Sequence, residues 1–183
     1  MSLPQKELYN EDDYYSVPEG VRVELIDGRI YYQAASNRIH QKVLNVINNM
    51  IYNYTRSRNG LCEVYPAPFA VKLYEDRETI VEPDISVICD QEKLTDRGCN
   101  GAPDWIIEVV SPGNPENDYI RKLNLYKDAG VREYWIVNPM KQTVLVYVFE
   151  AGLFDIWQYT FQDKVKVGIF EDLYIDFMEL DLR

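Results

Sequence analysis

No stretch of this chain approaches the ~20 consecutive apolar residues that a membrane-spanning helix needs. No charged-then-apolar leader opens it either. Cysteine is scarce. Cys62, Cys89 and Cys99 are an odd number without a C-x-x-C spacing; they carry no zinc signature and read as reduced thiols in a cytoplasmic protein. Positive charge is also short: 19 Lys and Arg stand against 30 Asp and Glu, a net charge of −11. Neutralising phosphates supplies most non-specific affinity for nucleic acid, so this balance counts against tight, non-specific binding. A divalent metal and a local basic patch would have to compensate. Repeats, low-complexity segments and linkers are absent, and residues 1–183 read as a single domain long enough to bury a core.

What is present is strongly patterned. A short helical turn is expected near Asp12–Ser16. The run from Val21 to Tyr32 centres on Asp27-Gly28, and Asp-Gly between β-rich flanks predicts a tight hairpin. Ser36 can cap a helix running to about Arg58, with Asn59-Gly60 as its stop. Ile39, Val43, Leu44, Val46, Ile47, Met50, Ile51 and Tyr54 share one face of that helix, and His40, the only histidine, lies inside the apolar arc. The segment Leu61–Tyr74 is strand-like but broken by Pro66 and Pro68. A second helix opens with Asn114 as cap and Pro115 in its first turn, and ends at Gly130. Glu133–Val137 is an apolar strand, Thr143–Glu150 and Phe154–Phe161 form an antiparallel pair, and Lys164–Gly168 adds a short edge. This order predicts an α/β (α+β) fold: a mixed central sheet flanked by helices, with an N-terminal hairpin and C-terminal antiparallel strands.

Two nearly all-apolar runs, Val81–Ile88 and Pro103–Val110, read as strands buried on both faces, joined by a polar connector from Cys89 to Ala102. Asp84 lies in the first and Glu108 in the second. A carboxylate costs several kcal/mol to bury as an unpaired ion, so such acids are paired, hydrogen-bonded or holding a metal. Two oxygen donors on neighbouring strands suit Mg²⁺ or Mn²⁺. A metal-dependent hydrolase also wants a nearby cation. Val110 occupies the same-face position two residues after Glu108, but Lys122 lies within the packed arc of the following helix with Tyr119, Leu123, Tyr126 and Ala129.

Blander readings stand beside these. Asp84 could be a strand-end acid that satisfies backbone donors, and Lys122 a lysine snorkelling along an apolar face. His40 reads first as a satisfied core histidine, and Glu24 as an outward charge beside the hairpin turn. Asp104, four residues before Glu108 on the same strand, cannot act as the metal-binding Pro-Asp; a strand-start hydrogen-bonding role suits it better.

Taken together, Glu24-Leu-Ile-Asp-Gly28, the helix with His40, Glu82-Pro83-Asp84, Pro103-Asp104-Trp-Ile-Ile-Glu108-Val-Val-Ser111-Pro112, Lys122, Tyr126, Ala129-Gly130-Val131 and Glu133-Tyr-Trp-Ile-Val137 form a pattern. It resembles a bacterial family of restriction-endonuclease-like proteins within the PD-(D/E)XK nuclease superfamily, over roughly residues 12 to 180. The resemblance implies that Asp84 and Glu108 are metal ligands. It also implies that Lys122 takes over from the lysine replaced by Val110, with Glu24 and His40 as secondary site candidates. The reading is a Mg²⁺- or Mn²⁺-dependent endonuclease hydrolysing phosphodiester bonds of nucleic acid, with DNA as the expected substrate. Aromatic-rich terminal strands such as Phe154–Tyr159 point to a homodimer. The rivals are a catalytically inactive nuclease-fold binding or assembly module, and a structural homo-oligomer.

Overall fold

The computed structural model describes residues 7–58, 60–112, 116–149 and 154–182. The chain opens with a short helix α1 (Glu11–Tyr15), whose cap Asn10 and Asp13 form a reciprocal capping box. Strands β1 (Val23–Ile26) and β2 (Arg29–Tyr32) follow, paired antiparallel across Asp27 and Gly28. Both turn residues have positive φ, 49° and 75°, the conformation that makes Asp-Gly a favoured two-residue hairpin turn. The long helix α2 (Arg38–Ser57) is capped by Asn37, one residue later than expected from Ser36. Its cap carbonyl oxygen Oδ1 accepts the backbone N–H of His40 at 2.9 Å and fixes the first turn.

The proline-broken segment divides between two sheets. β3 (Glu63–Pro66) pairs antiparallel with β6 (Ile85–Ile88), while β4 (Val71–Lys72) pairs with β5 (Ile80–Val81). The expected connector between Cys89 and Ala102 is itself structured, with a 3₁₀ turn at Gln91–Lys93 and a small hairpin of β7 (Leu94–Thr95) and β8 (Gly98–Asn100). After it come β9 (Trp105–Val109), helix α3 (Glu116–Ala129), β10 (Glu133–Asn138), β11 (Thr143–Val148) and β12 (Asp155–Thr160). The expected Asn114 cap, Pro115, Asn59 and Glu150 lie outside the described residues.

One sheet therefore becomes two. The first has the order β2-β1-β5-β4-β8-β7 and the second β12-β11-β10-β9-β6-β3, each mixing parallel and antiparallel pairs. The expected edge strand β13 (Lys164–Lys166) pairs instead with β14 (Tyr174–Asp176) in a separate ribbon. On one face of the second sheet, Trp105, Ile107 and Val109 pack with Val43, Ile47 and Ile51 of α2 and with Phe177 near the C-terminus. On the other, Ile106, Tyr134 and Ile136 pack with Tyr119 and Tyr126 of α3 and with Val71 and Val81 of the first sheet. All five residues of β9 are buried, so the unbroken apolar run is the sequence form of a strand covered on both faces.

The thiols correct the expectation drawn from composition. The β3–β6 register sets Glu63 opposite Ile88, which carries Cys62 to a position opposite Cys89, and the two are joined in a disulfide. Cys99 is a free, buried thiol whose pKa burial pushes up to about 11. A thiol titration is expected to find none reactive in the native protein and one after unfolding without reductant. Three after unfolding would show that the bridge is not formed.

Candidate active site

The site begins at the β6–β9 pair. The antiparallel register sets Ile85 opposite Ile107, and one step further it brings Asp84 opposite Glu108. Asp84 is held at both ends. Its carbonyl accepts the N–H of Ala67 at 2.9 Å, and its Oδ2 accepts the N–H of Val109 at 2.8 Å. His40, 4% exposed, brings Nε2 to 3.0 Å from the same Oδ2. The strand-end and the site readings of Asp84 thus describe different oxygens: Oδ2 is satisfied, while Oδ1 accepts nothing from the described residues.

Glu108 faces α3. Lys122 and Tyr126, four residues apart and so on one helical face, both donate to its Oε1, at 2.9 and 2.8 Å. Its Oε2 accepts nothing from the described residues. Lys122, only 3% exposed, also donates to Glu24 Oε1 at 2.8 Å. Glu24 is 1% exposed, which corrects the expectation of an outward charge. The reason is topological: β1 lies between β2 and β5, and all four of its residues are buried. Glu24 also accepts the N–H of Glu82 at 3.2 Å and the side-chain amide of Gln33 at 2.9 Å.

These groups line or adjoin a cleft of about 310 Å³ walled by Arg22, Gln33, Asn37, His40, Glu82, Asp84, Glu108, Val109, Ser111 and Lys122, among others. The structure brings Asp84, Glu108, Lys122 and His40 to it, with Glu24 reaching it through Lys122. Asp104 is elsewhere, accepting the N–H of Cys89 at 2.8 Å as a strand-start acid. Tyr126 as a partner of Glu108 was not anticipated, although its place four residues after Lys122 on the packed arc was a usable signal. The ion pair of Arg22 with Glu82 at 2.9 Å joins residues 60 apart and left no local trace. A larger cavity of about 410 Å³ between α3 and β10–β12 is mostly apolar and presents no carboxylate among the described residues.

Burial dominates the electrostatics. It raises the Glu108 pKa to about 7, aided by the charges of Asp84 and Glu24 and opposed by Lys122. Burial acts downward on His40, but the Asp84 hydrogen bond and the nearby carboxylate charges outweigh it, and the pKa is raised. Burial, then the charges of Glu108 and Glu24, hold the Tyr126 phenol far above its ordinary value, so it stays a donor.

The donor set suits a hard cation. Two carboxylate oxygens that accept nothing from the described residues, Asp84 Oδ1 and Glu108 Oε2, come from opposed strand positions in a cleft that Val109 also lines. Among the described residues no group of three or more His, Cys, Asp or Glu forms a ready metal cage. Two carboxylates could hold Mg²⁺ or Mn²⁺ only with water or phosphate completing the shell, the usual Mg²⁺ arrangement.

A raised carboxyl pKa means that the folded protein binds a proton the unfolded chain has lost. In the metal-free protein, Glu108 therefore removes stability as pH rises from about 4.5 to about 7. Glu108→Gln is expected to unfold at higher temperature than wild type at pH 8, with the gap closing below about pH 5. Thermal unfolding followed across that range checks it; a gap independent of pH would contradict it.

A family model described as "Putative restriction endonuclease", the Uma2 family, matches residues 11–173. A crystal structure of a putative nuclease belonging to DUF820 from Anabaena variabilis ATCC 29413 superimposes with a TM-score of 0.76. It is 20% identical and covers 92% of this chain and 95% of its own, which shows a shared fold. No curated protein matches the chain. With a nuclease fold and a family match running from the first helix almost to the last strand, the chain belongs to the Uma2 family of putative restriction endonucleases.

Proposed function

We propose that the protein is a Mg²⁺- or Mn²⁺-dependent endonuclease acting on DNA. The observation that carries this reading is the pair of unengaged carboxylate oxygens on Asp84 and Glu108, set in a cleft beside a lysine shared by two buried acids. Asp84, Glu108 and the Val109 carbonyl would hold the metal, which when bound supplies an activated water and offsets charge on the scissile phosphate. His40 and the Val109 N–H orient Asp84 by engaging Oδ2, and Tyr126 and Lys122 orient Glu108 by engaging Oε1. Lys122, 2.9 Å from Glu108, puts a cation beside that acid, which supports its standing in for the lysine replaced by Val110. This favours a catalytic reading over an inactive binding module.

The net charge of −11 means that phosphate affinity must come from the metal and from local cations. The cytoplasm is the proposed location. The Cys62–Cys89 bridge removes the thiol-based support for it, and what favours it is the proposed DNA substrate. Among the described residues no helix is long and apolar enough to cross a membrane.

The proposed homodimer rests on β12. It ends its sheet, has no Lys, Arg or Pro, and leaves Ile156 and Trp157 about half exposed. Light scattering at micromolar concentration is expected to give twice the chain mass, and Trp157→Lys the mass of one chain.

Cleavage of plasmid and single-stranded DNA with Mg²⁺, Mn²⁺ or chelator tests the main reading. Asp84→Asn and Glu108→Gln are each expected to lose at least about 100-fold in rate, since even outer partners of metal ligands cost 10–100-fold. Lys122→Met should also abolish cleavage. It should cost stability as well, about 3–5 kcal/mol at pH 8, because it leaves two buried acids without their cation. Lys127→Met, on the exposed side over the Phe154 ring, should change neither. A wild type inert on every substrate with both metals would favour the binding-module reading.

A further inference from the structure

Glu24 has no place in a simple two-acid site, yet it is the most deeply buried of the acids around the cleft that contact Lys122. Its hydrogen bonding separates it from the proposed ligands. Both of its oxygens are engaged, Oε1 by Lys122 and the Glu82 N–H, Oε2 by Gln33. Asp84 and Glu108 each keep one oxygen clear. Glu24 is thus poorly placed to bind a cation directly but well placed to act on its charge.

The charges at the cleft can be counted. Glu82 is matched by Arg22, and both Glu82 oxygens are taken, by Arg22 and by the Tyr14 hydroxyl. Without Glu24, Lys122 would neutralise one of the two ligand carboxylates. With Glu24 present, Arg22 and Lys122 face four acids among the described residues, so negative charge stays in excess even with His40 protonated beside Asp84.

Resting on the nuclease reading above, we propose that Glu24 is a positioning residue that cancels Lys122. It leaves the negative charge of the Asp84–Glu108 pair available to one divalent cation per chain. The lysine can then stay beside Glu108 without competing with the metal for it.

Mn²⁺ titration followed by the spin-resonance signal of the free ion tests this without reference to activity. Wild type is expected to bind one Mn²⁺ per chain. Glu24→Gln, which keeps the shape and removes the charge, should bind it about 10- to 100-fold more weakly, the range for outer partners of metal ligands. The decisive variant is Glu24→Gln with Lys122→Met. Both charges go, the balance at Asp84 and Glu108 returns, and the double variant should bind more tightly than Glu24→Gln, though short of wild type because Lys122 no longer orients Glu108. A residue that merely supports the local fold would give a double variant weaker than either single one. Because Lys122→Met alone leaves two buried acids unpaired and can fail to fold, the comparison runs between Glu24→Gln and the double variant, with thermal unfolding confirming that both are folded.

Wild-type binding with an unaffected Glu24→Gln would overturn this role and leave the metal reading standing. So would a double variant no tighter than Glu24→Gln, or two ions per wild-type chain. A wild type that binds no Mn²⁺ would overturn the metal reading and this role with it.

Discussion

A lysine shared between two buried acids is the constraint around which this molecule is arranged. Lys122 sits 2.8 Å from Glu24 and 2.9 Å from Glu108, and all three are almost completely buried. Three charges in such a place are tolerable only while their geometry holds, since removing the lysine strands both acids. The bridge ties together three parts of the chain: the first sheet through β1, the second through β9, and α3 lying against both. Breaking it would loosen the joint between the sheets as well as the cleft. This arrangement places function and stability on the same atoms.

Much of this was legible in the chain because the relevant signals are local. Asp27-Gly28 marks a hairpin since few dipeptides accept two positive φ values in succession. Glu108 stood out because Trp-Ile-Ile-Glu-Val-Val is a strand buried on both faces, where an acid needs a reason. Lys122 stood out because the helical period puts it among Tyr119, Tyr126 and Ala129. The two apolar runs pointed to Asp84 and Glu108 as a pair, the family resemblance to their role as metal ligands, and the register of β6 on β9 supplies the geometry.

What escaped the sequence was non-local. Glu24 reads as an outward charge from its own hairpin, because nothing within that segment says β5 and α3 will cover it. The division of the sheet into two also depends on where β3 and β4 find partners after Pro66 and Pro68, which the segment between them does not encode alone. Composition misled for the thiols, since an odd count does not reveal that Cys62 and Cys89 meet across one strand pair. Arg22 and Glu82 are a surface-like cation and acid in sequence, and a cleft-lining pair in space.

The central claim is that Asp84 and Glu108 turn their two unengaged oxygens on one divalent cation. Anomalous diffraction from crystals soaked in Mn²⁺ tests it directly. The account predicts one peak per chain between Asp84 Oδ1 and Glu108 Oε2, at about 2.1 Å from each and with Lys122 still bonded to Glu24. No peak at that position, or one reached only after Lys122 has left Glu24, would contradict it.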